Sequence, residues 1–337
     1  ATHYIGKTHY DGPGGNRWIP KGWRRRGFTT YEGFNAAHNF FNSATFDNDG
    51  NPMGIKGVYE PEFQKDMAVN YMTENRDRQW FLILSWRPPH TPYHDVPPTF
   101  KRFTISEADR RPNVPAGNPD ADDLANYFAQ CEALDYQFGR LMDSLRKLGL
   151  ERNTLVVFSS DHGDFLRSHN RTAKFKPQEE SLHIPLLMRW PGQILPGQTP
   201  DTVIGGVDMM PTLLSMCGLR VPRTCFGQDK SWTVLGGLPD SDDSIYCEGH
   251  TGHSTLAWRA VVTDRYKLVV DNSDPLDINS VSMLYDLQLD PYELANLATD
   301  AGFSSIRQHL FERLVQWRDE TEDPFPDTPP SAKSMYS

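Results

Sequence analysis

The chain has 337 residues, of which 34 are Lys or Arg and 44 are Asp or Glu, so its formal net charge is -10. This acidic balance argues against non-specific nucleic-acid binding, which needs a basic surface. No apolar run approaches the roughly 20 residues that a membrane span requires, and the length predicts one large and one smaller domain.

The first third of the chain predicts two strands, a long loop and a helix. Residues 1–12 are typical of a helix end that runs into a short strand, with a tight turn at Gly6. Residues 13–58 are rich in Gly, Pro, Asn and aromatic residues, which favours a binding loop or lid. A helix is predicted over residues 62–76 and a buried strand over 80–86, where prolines then force an extended chain past His90.

The middle of the chain carries the clearest periodicity. Apolar residues recur about every 3.6 positions over residues 122–148, which predicts an amphipathic helix that Gly149 ends. Residues 155–158 are apolar and rich in β-branched side chains, which predicts a strand buried on both faces. Strand, helix and strand thus follow in the order of a parallel βαβ unit, with the polar sequence SSDHGD at its carboxyl end.

The second half predicts an α/β domain that gives way to a smaller one. A third strand is expected over residues 184–190, starting late or lying near an edge because of Pro185, and a helix opens at Asp208. Short strands over 244–248, 259–263 and 266–270 and a helix over 305–318 predict a small antiparallel sheet with one helix. We therefore predict two domains. Residues 1–240 would form a catalytic α/β domain with a mixed, mostly parallel sheet between helices, and residues 241–337 would form a small antiparallel subdomain.

Polar residues follow several of these strands, at the edge where open α/β sheets bind ligands. Lysines and histidines around one cation suit a substrate with concentrated negative charge, such as a sulfate or phosphate ester. Taken singly, each residue is more often a solvated lysine, a loop histidine or a turn cap. The candidates are Lys7, His9, His90, Asp161, His162 and Lys174.

Six motifs, in order along the chain, resemble the sulfatase family of the alkaline-phosphatase superfamily. IGKTH at residues 5–9 resembles the family's G-K-W-H with Thr8 in place of tryptophan, and the segment at 85–93 is similar to P-H-x-P-Y. SDHGD at 160–164 with the later Lys174, and EESLHIPL at 179–186, match the family's central loop. VDMMPTLL at 207–214 and the L-Y-D-L…D-P-x-E…N-L signature at 284–297 complete the series.

The resemblance implies a calcium site and a sulfate-binding site. Asp161 and His162 would bind one Ca²⁺ ion, while Lys7 and His9 would hold and deprotonate the hydroxyl of the nucleophile. His90 and Lys174 would contact the sulfate oxygens, with His90 also placed to protonate the leaving group. These two roles are what the family resemblance implies for His90 and Lys174.

The implied activity is hydrolysis of a sulfate ester on a carbohydrate or aryl group, in a periplasmic or extracellular enzyme. The substrate would be a sulfated small molecule or glycan, and neither nucleic acid nor a membrane span is expected. Among the aromatic residues of the loop, Trp18, Trp23, Phe28 and Tyr31 could stack on a sugar ring or only pack the loop.

The sequence departs from the family pattern at the nucleophile. The family makes a formylglycine from a C/S-x-P/A-x-R motif, and none of Cys131, Cys217, Cys225 and Cys247 lies in one. The paired aspartates upstream of G-K-W-H are missing too. We therefore expect a truncated sulfatase that lacks its first strand and nucleophile helix and is inactive by itself.

Two alternatives to a sulfatase remain open at this point. Relatives that hydrolyse phosphonate monoesters or phosphodiesters share the Asp-His loop and the lysine. A non-catalytic homologue that binds sulfated glycans would keep the pocket without the chemistry. The cysteines show no C-x-x-C spacing, so neither zinc nor a redox pair is indicated, and Cys217 and Cys225 could pair or stay free.

Overall fold

The structure is a computed structural model that describes residues 1–11, 15, 17–35, 39–106, 109–117, 121–238, 243–250, 257–271, 277–323 and 325. The chain forms two compact units. The first comprises Ala1–Arg110 and Ala116–Thr154, and the second comprises Arg111–Pro115 and Leu155–Met335. This division does not follow the boundary predicted at residue 240, so the domain assignment stays a prediction.

The first unit contains a five-stranded mixed sheet. Its strands are β1 (Thr2–Thr8), β2 (Thr30–Asn35), β3 (Ala44–Phe46), β4 (Pro52–Gly54) and β5 (Phe81–Ser85). The order is β4-β3-β2-β1-β5, with β1 parallel to both β2 and β5 and the other pairs antiparallel. Strands β2 to β4 lie within residues 13–58, so the prediction that this whole segment is a binding loop or lid is wrong.

Gly6 lies inside the central strand β1. The prediction of a tight turn at this residue is therefore wrong. Its φ is +107°, and a Cβ at this position would lie 2.1 Å from the carbonyl oxygen of Ser85 on β5. On the other side, a Cβ at Gly33 would lie 2.0 Å from the carbonyl oxygen of Gly6. The three parallel strands therefore approach one another more closely at this level than any side chain permits.

Two helices of the first unit bury their apolar faces. They are α1 (Glu60–Glu74) and α2 (Ala121–Lys147), close to the helices predicted from periodicity. Met67 and Ala68 of α1 and Leu141 of α2 pack against Ile5 of β1. The apolar side of the sheet is thus covered by helices, as expected for an α/β protein.

The second unit begins with a two-stranded antiparallel ladder. Strand β6 (Val156–Ser159) pairs with β7 (Leu186–Arg189), which starts just after Pro185. Residues of β6 are only half-buried or exposed, so the predicted burial on both faces is wrong. Among the described residues of this unit, β6 pairs with β7 alone, and that pairing is antiparallel. A βαβ unit would instead give β6 a parallel neighbour.

Three short or medium helices also belong to this unit, the first of them between β6 and β7. They are α3 (Glu179–Leu182), α4 (Met209–Met216) and α5 (Ser231–Val234). Asp208 precedes α4, as predicted, and its buried carboxylate accepts hydrogen bonds from the backbone N–H groups of Gly205 and Gln228.

A four-stranded antiparallel sheet and a helix complete the second unit. The strands β8 (Ile245–His250), β9 (Ala257–Val262), β10 (Tyr266–Asp271) and β11 (Val281–Asp286) lie in the order β11-β10-β9-β8. Helix α6 (Ser304–Glu320) buries Leu310 and Leu314 against Leu268 and Leu284 of the sheet. The predicted small sheet with a terminal helix is observed, with β11 as a fourth strand that the sequence analysis missed.

Candidate active site

Three candidate residues of the first unit follow the carboxyl ends of two neighbouring parallel strands. Lys7 is the second-last residue of β1, and His9 is the first residue after this strand. His90 follows β5, which pairs with β1 in parallel register with Gly6 opposite Ser85. Because parallel strands end at the same edge of a sheet, the structure brings these three residues to one edge.

His90 is held in a tight turn. Its backbone N–H donates to the carbonyl oxygen of Arg87 at 3.1 Å. Its Nδ1 lies 2.8 Å from the carbonyl oxygen of Thr91, which can only accept, so Nδ1 carries the proton in the neutral ring. Nε2 is therefore the nitrogen that can take up and give away a proton.

The candidate residues of the second unit meet around one imidazole nitrogen. Nε2 of His162 lies 3.5 Å from Oδ2 of Asp161 and 2.5 Å from Nζ of Lys174. Nδ1 of the same ring lies 2.8 Å from the carbonyl oxygen of Gly163 and so carries the proton, which leaves the lone pair on Nε2. Burial lowers the pKa of the Lys174 ammonium below its usual range, and the charges of Asp161 and Asp164 oppose this in part.

The loop between these residues is fixed by close backbone contacts. A Cβ at Gly163 would lie 2.0 Å from the carbonyl oxygen of Glu180, and the Gly163 N–H donates to the carbonyl oxygen of Ser181 at 3.0 Å. Phe165 is fully buried, and its N–H donates to the carbonyl oxygen of Ala173, next to Lys174. These contacts close the loop on itself. Lys174 therefore lies next to His162, although twelve positions separate them in the sequence.

The donors of Asp161 and His162 fit a shared cation, although they are too few to form a complete site. Their atoms are separated by 3.5 Å, a distance common between two ligands of one metal ion, and the Asp161 side chain is 86% exposed. Calcium takes six to eight oxygen ligands, of which these residues would supply one carboxylate beside one imidazole.

A comparison with known families decides the family of this chain. The model of the sulfatase family matches residues 3–219, which is more than half of the chain. The chain belongs to the sulfatase family. A second model, that of the C-terminal part of N-sulphoglucosamine sulphohydrolase, matches residues 172–320. The resemblance inferred from the six motifs is thereby confirmed.

Two relatives match nearly the whole chain. The chain is 28% identical to an ulvan-active sulfatase of Formosa agariphila over 96% of this chain and 64% of the relative. It is 27% identical to an endo-4-O-sulfatase of Bacteroides thetaiotaomicron over 96% of this chain and 71% of that protein. The chain thus spans slightly less than two thirds of the first of these relatives.

Solved structures confirm the predicted fold class. A protein of Bacteroides fragilis that carries the name sulfatase superposes with a TM-score of 0.85 at 28% identity, over 96% of this chain and 75% of that one. A phosphonate monoester hydrolase of Agrobacterium radiobacter superposes with a TM-score of 0.61 at 24% identity, over 77% of this chain and 60% of that one, and shares the fold.

The structure sorts the aromatic residues that the sequence proposed for sugar stacking. Tyr31 is fully buried in the first unit beside Tyr4 and Ile19, so its ring is closed to a sugar. Trp23 is 77% exposed, and the guanidinium of Arg26 lies 5.6 Å from its ring centre. Trp23 is therefore the most exposed of the four aromatic residues that the sequence proposed for sugar stacking.

A buried group of charges in the second unit was missed by the sequence analysis. Nζ of Lys267 lies 2.8 Å from Oε1 of Glu179 and 2.5 Å from Oε1 of Glu293, and the lysine side chain is fully buried. These partners are far apart in sequence, so no local pattern could have paired them. Both glutamates belong to motifs that carried the family resemblance, which was the one signal available.

Three side chains next to these charges resemble a metal site, but both of its carboxylates already have partners within the protein. Donor atoms of His169, Glu180 and Glu293 lie within 4.8 Å of one another. The ammonium of Lys267 already neutralises Glu293 at 2.5 Å, and Asn113 donates to Glu180 at 2.7 Å. We interpret this group as part of a buried polar network and not as a metal centre.

The structure resolves two further questions from the sequence. All four cysteines are free thiols, so Cys217 and Cys225 are not paired. Among the described residues, no helix combines the length and apolar character needed to cross a membrane.

Proposed function

We propose that the protein containing this chain hydrolyses sulfate esters of a carbohydrate, with the residues of the central loop binding the sulfate group. Support comes from membership of the sulfatase family and, above all, from the meeting of Asp161, His162 and Lys174 at one nitrogen atom. A cationic donor beside a candidate cation site is the arrangement that binds a tetrahedral oxyanion.

Lys174 would donate a hydrogen bond to a sulfate oxygen. Its ammonium is half-buried, so its interaction with an anion is screened less than at an open surface. Nζ lies 2.5 Å from Nε2 of His162, which places the ammonium next to the candidate cation site. Any loss of Lys174 should therefore weaken stabilisation of the charge that develops on the sulfate oxygens.

His90 would act as the general acid. When the ring is protonated, Nε2 can deliver a proton to the bridging oxygen as the bond between sulfur and oxygen breaks, so that an alcohol leaves. Lys7 and His9 would hold and deprotonate the attacking hydroxyl, which forms the new bond to sulfur. That hydroxyl belongs to a formylglycine in our proposal, and since these 337 residues hold no precursor motif, a part of the protein outside them would supply it.

Asp161 and His162 would supply two ligands of a calcium ion, which neutralises negative charge on the bound sulfate when present. The remaining ligands would come from elsewhere in the protein. We also retain the periplasmic or extracellular compartment as part of the proposal.

The names of the relatives favour a sulfated polysaccharide as substrate. One is described as active on ulvan and the other as an endo-4-O-sulfatase. The exposed indole of Trp23 beside Arg26 is suited to the face and the anionic groups of such a sugar.

The test measures turnover by the full protein, matured where required, on 4-nitrophenyl sulfate, a sulfated oligosaccharide and bis(4-nitrophenyl) phosphate. Lys174→Ala should lower kcat/KM for both sulfates by about 10² to 10³-fold, the typical effect of removing one donor to a developing oxyanion. Lys176→Ala, on the same loop, serves as the matched control and should change it less than about threefold.

Three results would contradict the proposal. Faster turnover of the phosphodiester than of either sulfate would favour the phosphodiesterase alternative. Tight binding of the oligosaccharide without turnover would favour the glycan-binding alternative. Equal effects of Lys174→Ala and Lys176→Ala would show that Lys174 does not contact the substrate.

A further inference from the structure

The first unit holds a fully buried ion pair that the proposed chemistry does not use. The side chains of Arg87 and Glu60 are both 0% exposed. Nε of Arg87 donates to Oε1 of Glu60 at 2.8 Å, and Nη2 donates to Oε2, so the pair is bidentate. Because desolvation offsets most of the attraction in a buried pair, stability alone is a weak reason for its presence.

The arginine is also clamped by two aromatic rings and a backbone carbonyl. Its guanidinium lies 4.6 Å from the ring centre of Phe34 and 5.1 Å from that of Phe40. It donates a third hydrogen bond to the carbonyl oxygen of Asn39. A planar, five-donor group held from several sides at once has little freedom to rotate.

These contacts join the two segments that carry candidate catalytic residues of the first unit. Phe34 lies on β2 directly opposite Lys7 of β1 in the parallel register. At the other end, the carbonyl oxygen of Arg87 accepts the backbone N–H of His90 at 3.1 Å. The two residues between Arg87 and His90 are prolines, whose rings fix φ and leave the segment little freedom.

We propose that Glu60 and Arg87 are positioning residues for His90, which they hold at the angle needed to protonate the leaving group. This inference rests on the proposed function, because it needs His90 to act as the general acid. The pair would act through the turn at residues 87–90 and would not touch the substrate. Its effect should therefore depend on how much the leaving group needs a proton.

The dependence on the leaving group separates positioning from a purely structural role. An ester with a good leaving group, such as 4-nitrophenyl sulfate, departs with little help from an acid. An ester with a poor leaving group, such as a sugar sulfate, needs the proton, and general acid catalysis contributes about 10² to 10⁴-fold. A variant that only lost folded protein would lose the same fraction of activity on both esters.

The experiment compares Arg87→Lys and Glu60→Gln with the wild type in the full protein. We expect kcat for the sugar sulfate to fall by about 10²-fold and kcat for 4-nitrophenyl sulfate by less than about threefold, with KM nearly unchanged. Arg140→Lys is the matched control, because Arg140 pairs with Glu62 of the same helix α1 at 3.3 Å while both side chains remain more than 40% exposed. It should leave both esters within about twofold.

Two further variants keep the test decisive. Adding Arg87→Lys to His90→Asn should cause no further loss, since the residue to be positioned is gone. If Arg87→Lys does not fold, Phe34→Leu removes one ring from the clamp while keeping both charges, and should show the same preference for good leaving groups at reduced size.

The inference is overturned if the variants lower kcat equally on both esters, or if their losses multiply with that of His90→Asn. It is also overturned if Arg87→Lys, Glu60→Gln and Phe34→Leu all match the wild type. A wild-type protein that turns over neither ester would overturn the proposed function itself, and this inference with it.

Discussion

Replacing Lys267 by Met tests the buried charges of the second unit. Methionine has a similar length and keeps the packing, but removes the ammonium that lies 2.8 Å from Glu179 and 2.5 Å from Glu293. Glu293 has 1% of its side chain exposed and Glu179 has 17%, so the first cannot regain water in the folded state. We therefore expect the variant to leave the buried carboxylate of Glu293 without the positive charge that now balances it.

The size of the effect follows from two estimates that agree. Breaking a buried ion pair by removing one partner costs about 3–5 kcal/mol. The variant can instead protonate Glu293, whose pKa is already raised by burial from 4.5, with Lys267 lowering it in part. Keeping a carboxyl of unfolded pKa near 4.5 protonated costs about 4 kcal/mol at pH 7.5 and about 2 kcal/mol at pH 6.0.

The destabilisation should therefore depend on pH. A carboxyl whose folded pKa lies above its unfolded value loses stability as the pH rises from the unfolded pKa through the folded pKa, so Lys267→Met should be less damaging at lower pH. Urea unfolding followed by circular dichroism at pH 7.5 and 6.0 measures both values. Lys101→Met, at an exposed loop position, is the control and should change the free energy of unfolding by less than about 0.5 kcal/mol.

Either of two results would refute this reasoning. A loss below about 1 kcal/mol at pH 7.5 would mean that the carboxylates find other partners or water. A loss of the same size at both pH values would mean that the ammonium matters only for packing. Adding Glu293→Gln should recover part of the loss, since it removes the uncompensated charge.

Three further predictions concern stability alone. Gly6→Ala should lower the free energy of unfolding by about 2–5 kcal/mol, because its Cβ would lie 2.1 Å from the carbonyl oxygen of Ser85 at a φ of +107°; a change below about 1 kcal/mol in urea unfolding would contradict this. Ala173→Gly should raise it by about 0.5–1 kcal/mol, because φ is +60° there, and a lower thermal midpoint would argue against that strain. Burial would raise the pKa of Glu179, but the hydrogen bonds and positive charges of His183 and Lys267 together outweigh it and lower the pKa to about 2. Its stabilisation is therefore full above pH 4.5 and is lost as the pH falls towards 2, and Glu179→Gln should flatten the measured curve in that window.

Local patterns were sufficient for the helices and the central loop. The apolar period of 3.6 predicted α2 within one residue at each end, because the hydrogen bonds of a helix join residues four positions apart, and the predicted ends of α1 and α6 lie within two residues of those observed. The motif at residues 160–164 with Lys174 also pointed to side chains that meet, since its loop closes over only twelve residues.

Only the tertiary structure decided strand pairing and the buried charges. Whether Gly6 lies in a turn or in a strand depends on β2 and β5, which are remote in sequence and supply the close backbone contacts that glycine permits. Arg87 finds Glu60 at a separation of 27 residues, and Lys267 finds Glu179 at 88. A charged residue looks the same in sequence whether it is solvated or paired, because the low dielectric that makes its partner necessary exists only once the chain has folded.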